Sequence, residues 1–288
     1  MRWTPKGRSQ DLEDLRGQSG GRGGGRGFPV GPRMGIGGLL VLLVLSLVFQ
    51  RNFFTLLDTS GGSAAVETGA APARASSPEE ERLVDFVSFV LDDAQDVWTE
   101  LFRGLGQEYP RAKLVLFTDS VRSGCGYAEQ AMGPFYCPAD TKVYIDLGFY
   151  RELHGRFGAP GDFAQAYVIA HEIGHHVQNV LGIEERMRQA QARRPDQEKA
   201  LSVRLELQAD CFAGVWGHSA ARRDKLDEGD VEEGLGAAAA VGDDRIQEQA
   251  GQRVNPESWT HGSADQRMRW FRRGLESGRM ADCDTFKG

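Results

Sequence analysis

Apolar residues along this chain fall into three patterns, and each predicts a different kind of element. From Met34 to Phe49 they run without a charge and without a polar face, as in a segment that buries its whole circumference. From Glu79 to Leu105 they recur at helical spacing, with Leu83, Phe86, Val87 and Val90 on one stripe and acidic residues at the start, where a helix dipole favours them. Asp162–Val180 repeats that spacing through Phe163, Tyr167, Val168, Val177 and Val180, and 197–217 does so through Leu201, Leu205, Phe212 and Trp216. A further helix is predicted from Ala264 to Leu275. Lys113–Thr118 and Lys142–Leu147 are short β-branched and aromatic runs bounding a loop rich in Gly, Pro and Cys, and read as strands. The sum is a helix-rich α+β domain with a small β-sheet.

The amino-terminal region divides differently. Residues 1–33 are Gly- and Arg-rich with little to bury, which predicts a disordered basic tail. The apolar run, extended by Phe53, Phe54, Leu56 and Leu57, reaches the roughly 20 residues that a membrane span requires, so 34–57 is predicted as an uncleaved transmembrane signal anchor. A cleaved signal peptide, with small residues at Ser63-Ala64-Ala65, is the rival reading. Basic residues precede the run and Arg51 stands nearly alone after it, which predicts a cytoplasmic amino terminus and an extracytoplasmic domain. Residues 58–78 are rich in Ala, Gly, Ser and Pro and read as a flexible linker, leaving 79–288 as the folded domain.

The 288-residue chain carries a net charge of −7, and its domain is more acidic still once the basic tail is set aside. Such a domain repels nucleic acid, and the tail's arginines lack the aromatic platform of an RNA-binding module. Four cysteines, Cys125, Cys137, Cys211 and Cys283, suit two disulfides in an oxidising compartment. Of three possible pairings the nearest-neighbour one is the most economical, its first loop worth roughly 3 kcal/mol in the chain-entropy model. A small buried hydrophobe is the alternative role for Cys211.

Chemistry is concentrated in His171-Glu172-Ile173-Gly174-His175. Imidazoles at i and i+4 share a helix face and reach one metal ion, while Glu172 projects beside them toward an open coordination position. The third ligand is expected on a second element, where Glu206 and Asp210 again stand at i and i+4. Two assignments are open: Glu206 on the metal with Asp210 behind a ligand histidine, or the reverse. One zinc ion per chain is the cofactor these donors favour. His261 is a candidate to enter the site from another segment and steady an oxyanion, with helix-entry packing as its plain alternative, and Tyr136 and Tyr144 are further candidates. His176 lies four residues after Glu172 and is a candidate to tune it.

These residues resemble the gluzincin-like zinc peptidases, in which His-Glu-x-x-His is followed by Glu-x-x-Ala-Asp. They are more closely similar to the bacterial membrane-anchored neutral zinc metallopeptidase family. That resemblance spans most of the chain: Met1-Arg2-Trp3 with Arg8-Ser9, the stretch from Ala131 to Pro138, Val143 to Leu147, His171 to Gln178, Leu205 to Cys211, Thr260-His261-Gly262 and Gln266-Arg267. Gln10, Asp11 and Leu15 depart from the family's pattern, away from the chemistry. The resemblance implies a zincin-like fold, His171, His175 and Glu206 as zinc ligands, Glu172 as general base, and a peptide or protein substrate. It also implies that Val143–Leu147 edges the cleft. A non-catalytic zinc-stabilised module that binds envelope proteins or peptides is the alternative from another class, and a zinc hydrolase of other amide bonds is a third.

Overall fold

The computed structural model describes residues 1–17 and 76–287. The expected membrane anchor at 34–57 lies outside the described residues, and among those described no helix is long and apolar enough to cross a membrane.

The long helix α1 (Pro78–Gly104) opens as its sequence dictates. Ser77 Oγ accepts the Glu80 amide, Pro78 takes the first turn, and Glu79, Glu80 and Glu81 face the positive end of the dipole. Strands β2 (Lys113–Phe117) and β6 (Lys142–Asp146) pair in parallel, as neighbours in one sheet. Between them in sequence lie a two-stranded hairpin, β3 (Ser120–Ser123) with β4 (Gly126–Glu129), and the short β5 (Phe135–Cys137), which runs antiparallel to β6. The remaining helices are α2 (Gly148–Gly155), α3 (Asp162–Val180), α4 (Ile183–Arg193), α5 (Glu198–Arg222), α6 (Asp230–Ala240), α7 (Asp243–Gln249) and α8 (Ala264–Ser277). The fold is α+β and helix-rich, as the periodicity predicts.

Two expectations need correction. Residues 1–17 are not a disordered tail, for they belong to the same compact unit as the helical domain. Leu12–Asp14 forms β1, which adds in parallel to β2, so the sheet order is β1-β2-β6-β5. Trp3 packs edge-on against Phe86 at 5.2 Å, Asp11 pairs with Arg111 and Lys113, and Arg16 reaches Glu80 and Glu81 of α1. The Met1 ammonium meets Asp162 at 2.5 Å and buried Asp230 at 3.3 Å. This segment has no apolar stripe of its own, and partners supplied by the rest of the domain order it. Second, β6 is an interior strand between β2 and β5, so Val143–Leu147 is not the sheet edge; β5 is.

The core sits around α3 and α5. The second half of α5 is buried on nearly every face, from Leu207 through Gly217, because α3 packs on one side and α8 on the other. That crossing needs glycine. A Cβ on Gly274 would overlap the Cys211 carbonyl, and one on Gly174 would stand 2.9 Å from the Ala209 carbonyl oxygen. The close approach of α3, α5 and α8 brings three sets of functional side chains into register.

Candidate metal centre

Helix α3 contains no proline and continues from Asp162 to Val180, which puts His171 and His175 one turn apart on one face. Their Nε2 atoms lie 3.2 Å from each other. Glu206, arriving from α5, places Oε2 3.3 Å from His171 Nε2 and Oε1 3.4 Å from His175 Nε2. Tetrahedral bonds of ~2.0–2.1 Å to zinc require ligand atoms about 3.3–3.4 Å apart, so the triangle has the size of a zinc site. The donor set, two imidazoles and a carboxylate, fills three positions of a tetrahedron and leaves the fourth to another donor.

Each histidine is held through its other nitrogen. His171 Nδ1 meets Asp210 Oδ1 at 2.8 Å, and His175 Nδ1 meets Gln178 Oε1 at 2.9 Å. An ionised carboxylate and an amide oxygen only accept, so both rings donate from Nδ1 and present Nε2 to the centre. Of the two assignments left open above, this geometry has Glu206 facing the metal position and Asp210 behind His171. Asp210 is fully buried and is itself clamped by Arg267, with Nε to Oδ2 and Nη2 to Oδ1 both at 2.9 Å. Tyr167 donates to the same carboxylate.

Charges follow this arrangement. Burial alone would push both imidazoles down, but Asp210 and Glu206 outweigh it, raising His171 to about 10 and His175 in the same direction. Glu206 is held well below the usual carboxylate range against its burial by the two histidines. Asp210 is likewise lowered against burial, by Arg267 and then His171. Metal loading of this triangle would displace protons from the two imidazoles. Burial raises Glu172, partly offset by the two histidines.

Glu172 lines a cavity of about 570 Å³ together with the three donors, the β5 residues Phe135 and Tyr136, and an apolar wall that includes Phe149, Phe157 and Val168. His261 reaches the same cavity from the loop before α8. Its ring is half exposed, its Nδ1 meets Asp243 Oδ1 at 3.0 Å, and that hydrogen bond, followed by the charge of Glu206, raises its pKa. The other Asp243 oxygen accepts the backbone amides of Thr260, His261 and Gly262, which pins the loop.

Three other candidates are engaged in other contacts. Tyr144 donates to Asp140 at 2.7 Å and stacks on Phe135, outside the cavity lining. Both ring nitrogens of His176 are taken by the Tyr136 hydroxyl and the Pro110 carbonyl, and burial lowers its pKa, so neither nitrogen is left for Glu172. Tyr136 lines the cavity, but its hydroxyl is engaged by Asn179 and His176. Sequence reasoning missed roles for Tyr167, Gln178, Asp243 and Arg267. Tyr167 and Gln178 were within reach, four residues before His171 and three after His175, whereas Arg267 and Asp243 had no local signal.

The cysteines pair as Cys125–Cys137 and Cys211–Cys283. The first joins the β3–β4 turn to β5, and the second ties the carboxyl-terminal turn to α5.

The family model described as "Putative neutral zinc metallopeptidase" matches residues 1–286. The chain belongs to this neutral zinc metallopeptidase family. Its match takes in both the docked amino-terminal segment and the metal centre. Among curated relatives of the family member described here, the "Uncharacterized protein YpfJ" of Escherichia coli (strain K12) is 47% identical over 288 residues, covering 99% of each chain. The "Uncharacterized protein Mb2605" of Mycobacterium bovis is 46% identical over 201 residues, 66% of each chain. No solved structure matches.

Proposed function

We propose that this member of the family is an active zinc-dependent peptidase that hydrolyses peptide bonds in extended substrates. The observation carrying the reading is the donor triangle of His171, His175 and Glu206 opening, with Glu172, onto one cavity edged by β5. Zinc at that triangle would supply the charge that acidifies a water molecule and polarises a carbonyl. Glu172, the base beside the donors, takes the proton from the attacking water and returns it to the leaving amine. Asp210 and Gln178 hold the two imidazoles in the tautomer that presents Nε2. His261 stands at the cavity to donate to a carbonyl oxygen as it gains charge, with Asp243 holding the ring. The free edge of β5 offers backbone groups to a peptide strand, and Phe149, Phe157 and Val168 favour an apolar side chain next to it.

Membrane attachment through 34–57 rests on the sequence pattern alone. Were residues 1–17 to stay docked on 76–287 in a membrane-bound protein, both flanks of that run would lie on one side, unlike the single-pass orientation expected from the basic residues.

The test is zinc content and cleavage of a mixed peptide library by the purified full chain beside Glu172→Gln. Near-stoichiometric zinc in both, with cleavage only in the parent, supports the peptidase. Zinc without cleavage in the parent supports a zinc-stabilised binding module, and absence of zinc in the parent removes the site.

A further inference from the structure

The two ligand histidines are held by unlike devices. Behind His171 stands a charged pair, Asp210 with Arg267, but behind His175 there is only a neutral amide, Gln178, which is fully buried. Its Nε2 donates to the Leu205 carbonyl at 2.7 Å, immediately before Glu206, and to Gln208 Oε1 at 3.1 Å. Gln208, on α5, donates in turn from its own Nε2 to the Cys283 carbonyl at 2.9 Å. Cys283 is buried and joined by its disulfide to Cys211, three residues after Gln208. One unbroken row of hydrogen bonds therefore runs from the carboxyl-terminal turn to a zinc ligand.

The row has a direction. A backbone carbonyl accepts and never donates, so Gln208 must turn its amide nitrogen toward Cys283 and its oxygen toward Gln178. Gln178 must then offer its nitrogen to Gln208 and Leu205, which leaves its oxygen for His175. An oxygen at that place demands a proton on His175 Nδ1 and frees Nε2 for the metal. Turning either amide around would set nitrogen against nitrogen or oxygen against oxygen in a buried, water-poor setting, where an unpaired polar group is costly.

We propose that Gln178 and Gln208 are positioning residues that impose the metal-competent tautomer on His175, and that they couple zinc affinity to the Cys211–Cys283 disulfide. The crosslink holds the Cys283 carbonyl against α5, and without it the row keeps only the Leu205 carbonyl of the two backbone acceptors that set its direction. Zinc affinity thereby falls when this cysteine pair is reduced. The other disulfide lies in the β3–β4 and β5 region and takes no part.

The proposal rests on zinc binding at the His171, His175 and Glu206 triangle, and the experiment separates the two. Zinc dissociation constants are measured on the full chain by competition with a chromogenic chelator. Failure of the parent protein to bind would sink the zinc reading itself. With the parent binding, Gln178→Leu is expected to weaken zinc about 10- to 100-fold, the usual effect of removing a partner behind a ligand. Gln208→Leu and the pair Cys211→Ser with Cys283→Ser should each weaken it as well. Their combination should be no weaker than the worse of the two, because both cut one row, while Cys125→Ser with Cys137→Ser leaves affinity unchanged. Unaltered affinity in Gln178→Leu, or losses that multiply in the combination, would overturn the proposal. Should the protein lacking Cys211 and Cys283 fail to fold, Gln208→Glu decides with the crosslink intact. It sets an acceptor against the Cys283 carbonyl and must weaken zinc to a similar extent, and parent-like affinity in that variant refutes the coupling.

Discussion

Replacing Arg267 by Met tests the account of the metal centre most severely. Asp210 has no exposed surface, and its two oxygens are satisfied by Arg267 Nε and Nη2 at 2.9 Å, by Tyr167 and by His171 Nδ1. Arg267 is 3% exposed and donates further to the Val241 carbonyl at 3.2 Å. Methionine fills most of the volume but leaves the carboxylate with one neutral donor and the His171 ring, whose charge is shared with Glu206. Breaking a buried pair from one side costs about 3–5 kcal/mol, much of it the penalty of an uncompensated charge. Urea unfolding of the zinc-free protein should therefore lose that much in Arg267→Met. In Asp210→Asn with Arg267→Met the charge is gone while an amide oxygen remains for His171 Nδ1, and the loss should shrink by at least about 2 kcal/mol. A loss below about 1 kcal/mol in the single variant, or a double variant as unstable as the sum of two singles, would refute the claim that Arg267 exists to neutralise Asp210.

Four other outcomes follow from the same structure. Gly274→Ala should cost about 1–3 kcal/mol in thermal unfolding, because the added Cβ overlaps the Cys211 carbonyl and overpacking outweighs the roughly 1 kcal/mol gained in helix propensity. Buried Asp93 is held below the ordinary carboxylate range, since Arg223 and Lys225 outweigh its burial. Its contribution is thus complete above the unfolded value of about 3.9 and fades as pH falls through the lower folded value. The gap in urea midpoint between the parent and Asp93→Asn should accordingly be widest above about pH 4 and close on acidification. His261→Ala should lower kcat by about 10²–10³ with zinc content unchanged, measured on a peptide cleaved by the parent. Finally, single cysteines at exposed Lys6 and Glu228 should react with a membrane-impermeant maleimide from the same side in vesicles carrying the full chain. Labelling from opposite sides would show that residues 1–17 do not dock on the domain in a membrane.

The helix carrying His171 and His175 and the two parallel strands emerge where the periodicity places them, within a residue or two at their ends. The helix carrying Glu206 runs on to Arg222, beyond the expected end at 217, because Gly217 packs against Leu275 and Phe163 instead of ending the helix. Strand β5 is three residues long with no alternation to detect, and its place at the sheet edge depends on β6 beside it. The docked segment at Met1–Gly17 was misread because Gly and Arg content signals disorder only when nothing elsewhere in the chain offers a strand edge, an aromatic pocket and a matching set of acids.

The sequence by itself determined the local chemistry: two imidazoles one helical turn apart with a carboxylate between them, and a second helix with Glu206 and Asp210 at the same interval. Those relations depend only on helix pitch, which any amphipathic stretch of this length imposes. Tertiary structure alone decided that Arg267, 57 residues beyond Asp210, would neutralise it, and that β5 would edge the cleft. Each of these depends on the separation and angle at which α3, α5, α8 and the sheet meet. Packing at glycine contacts such as Gly174 and Gly274 sets that geometry, and a periodicity along one segment cannot encode it.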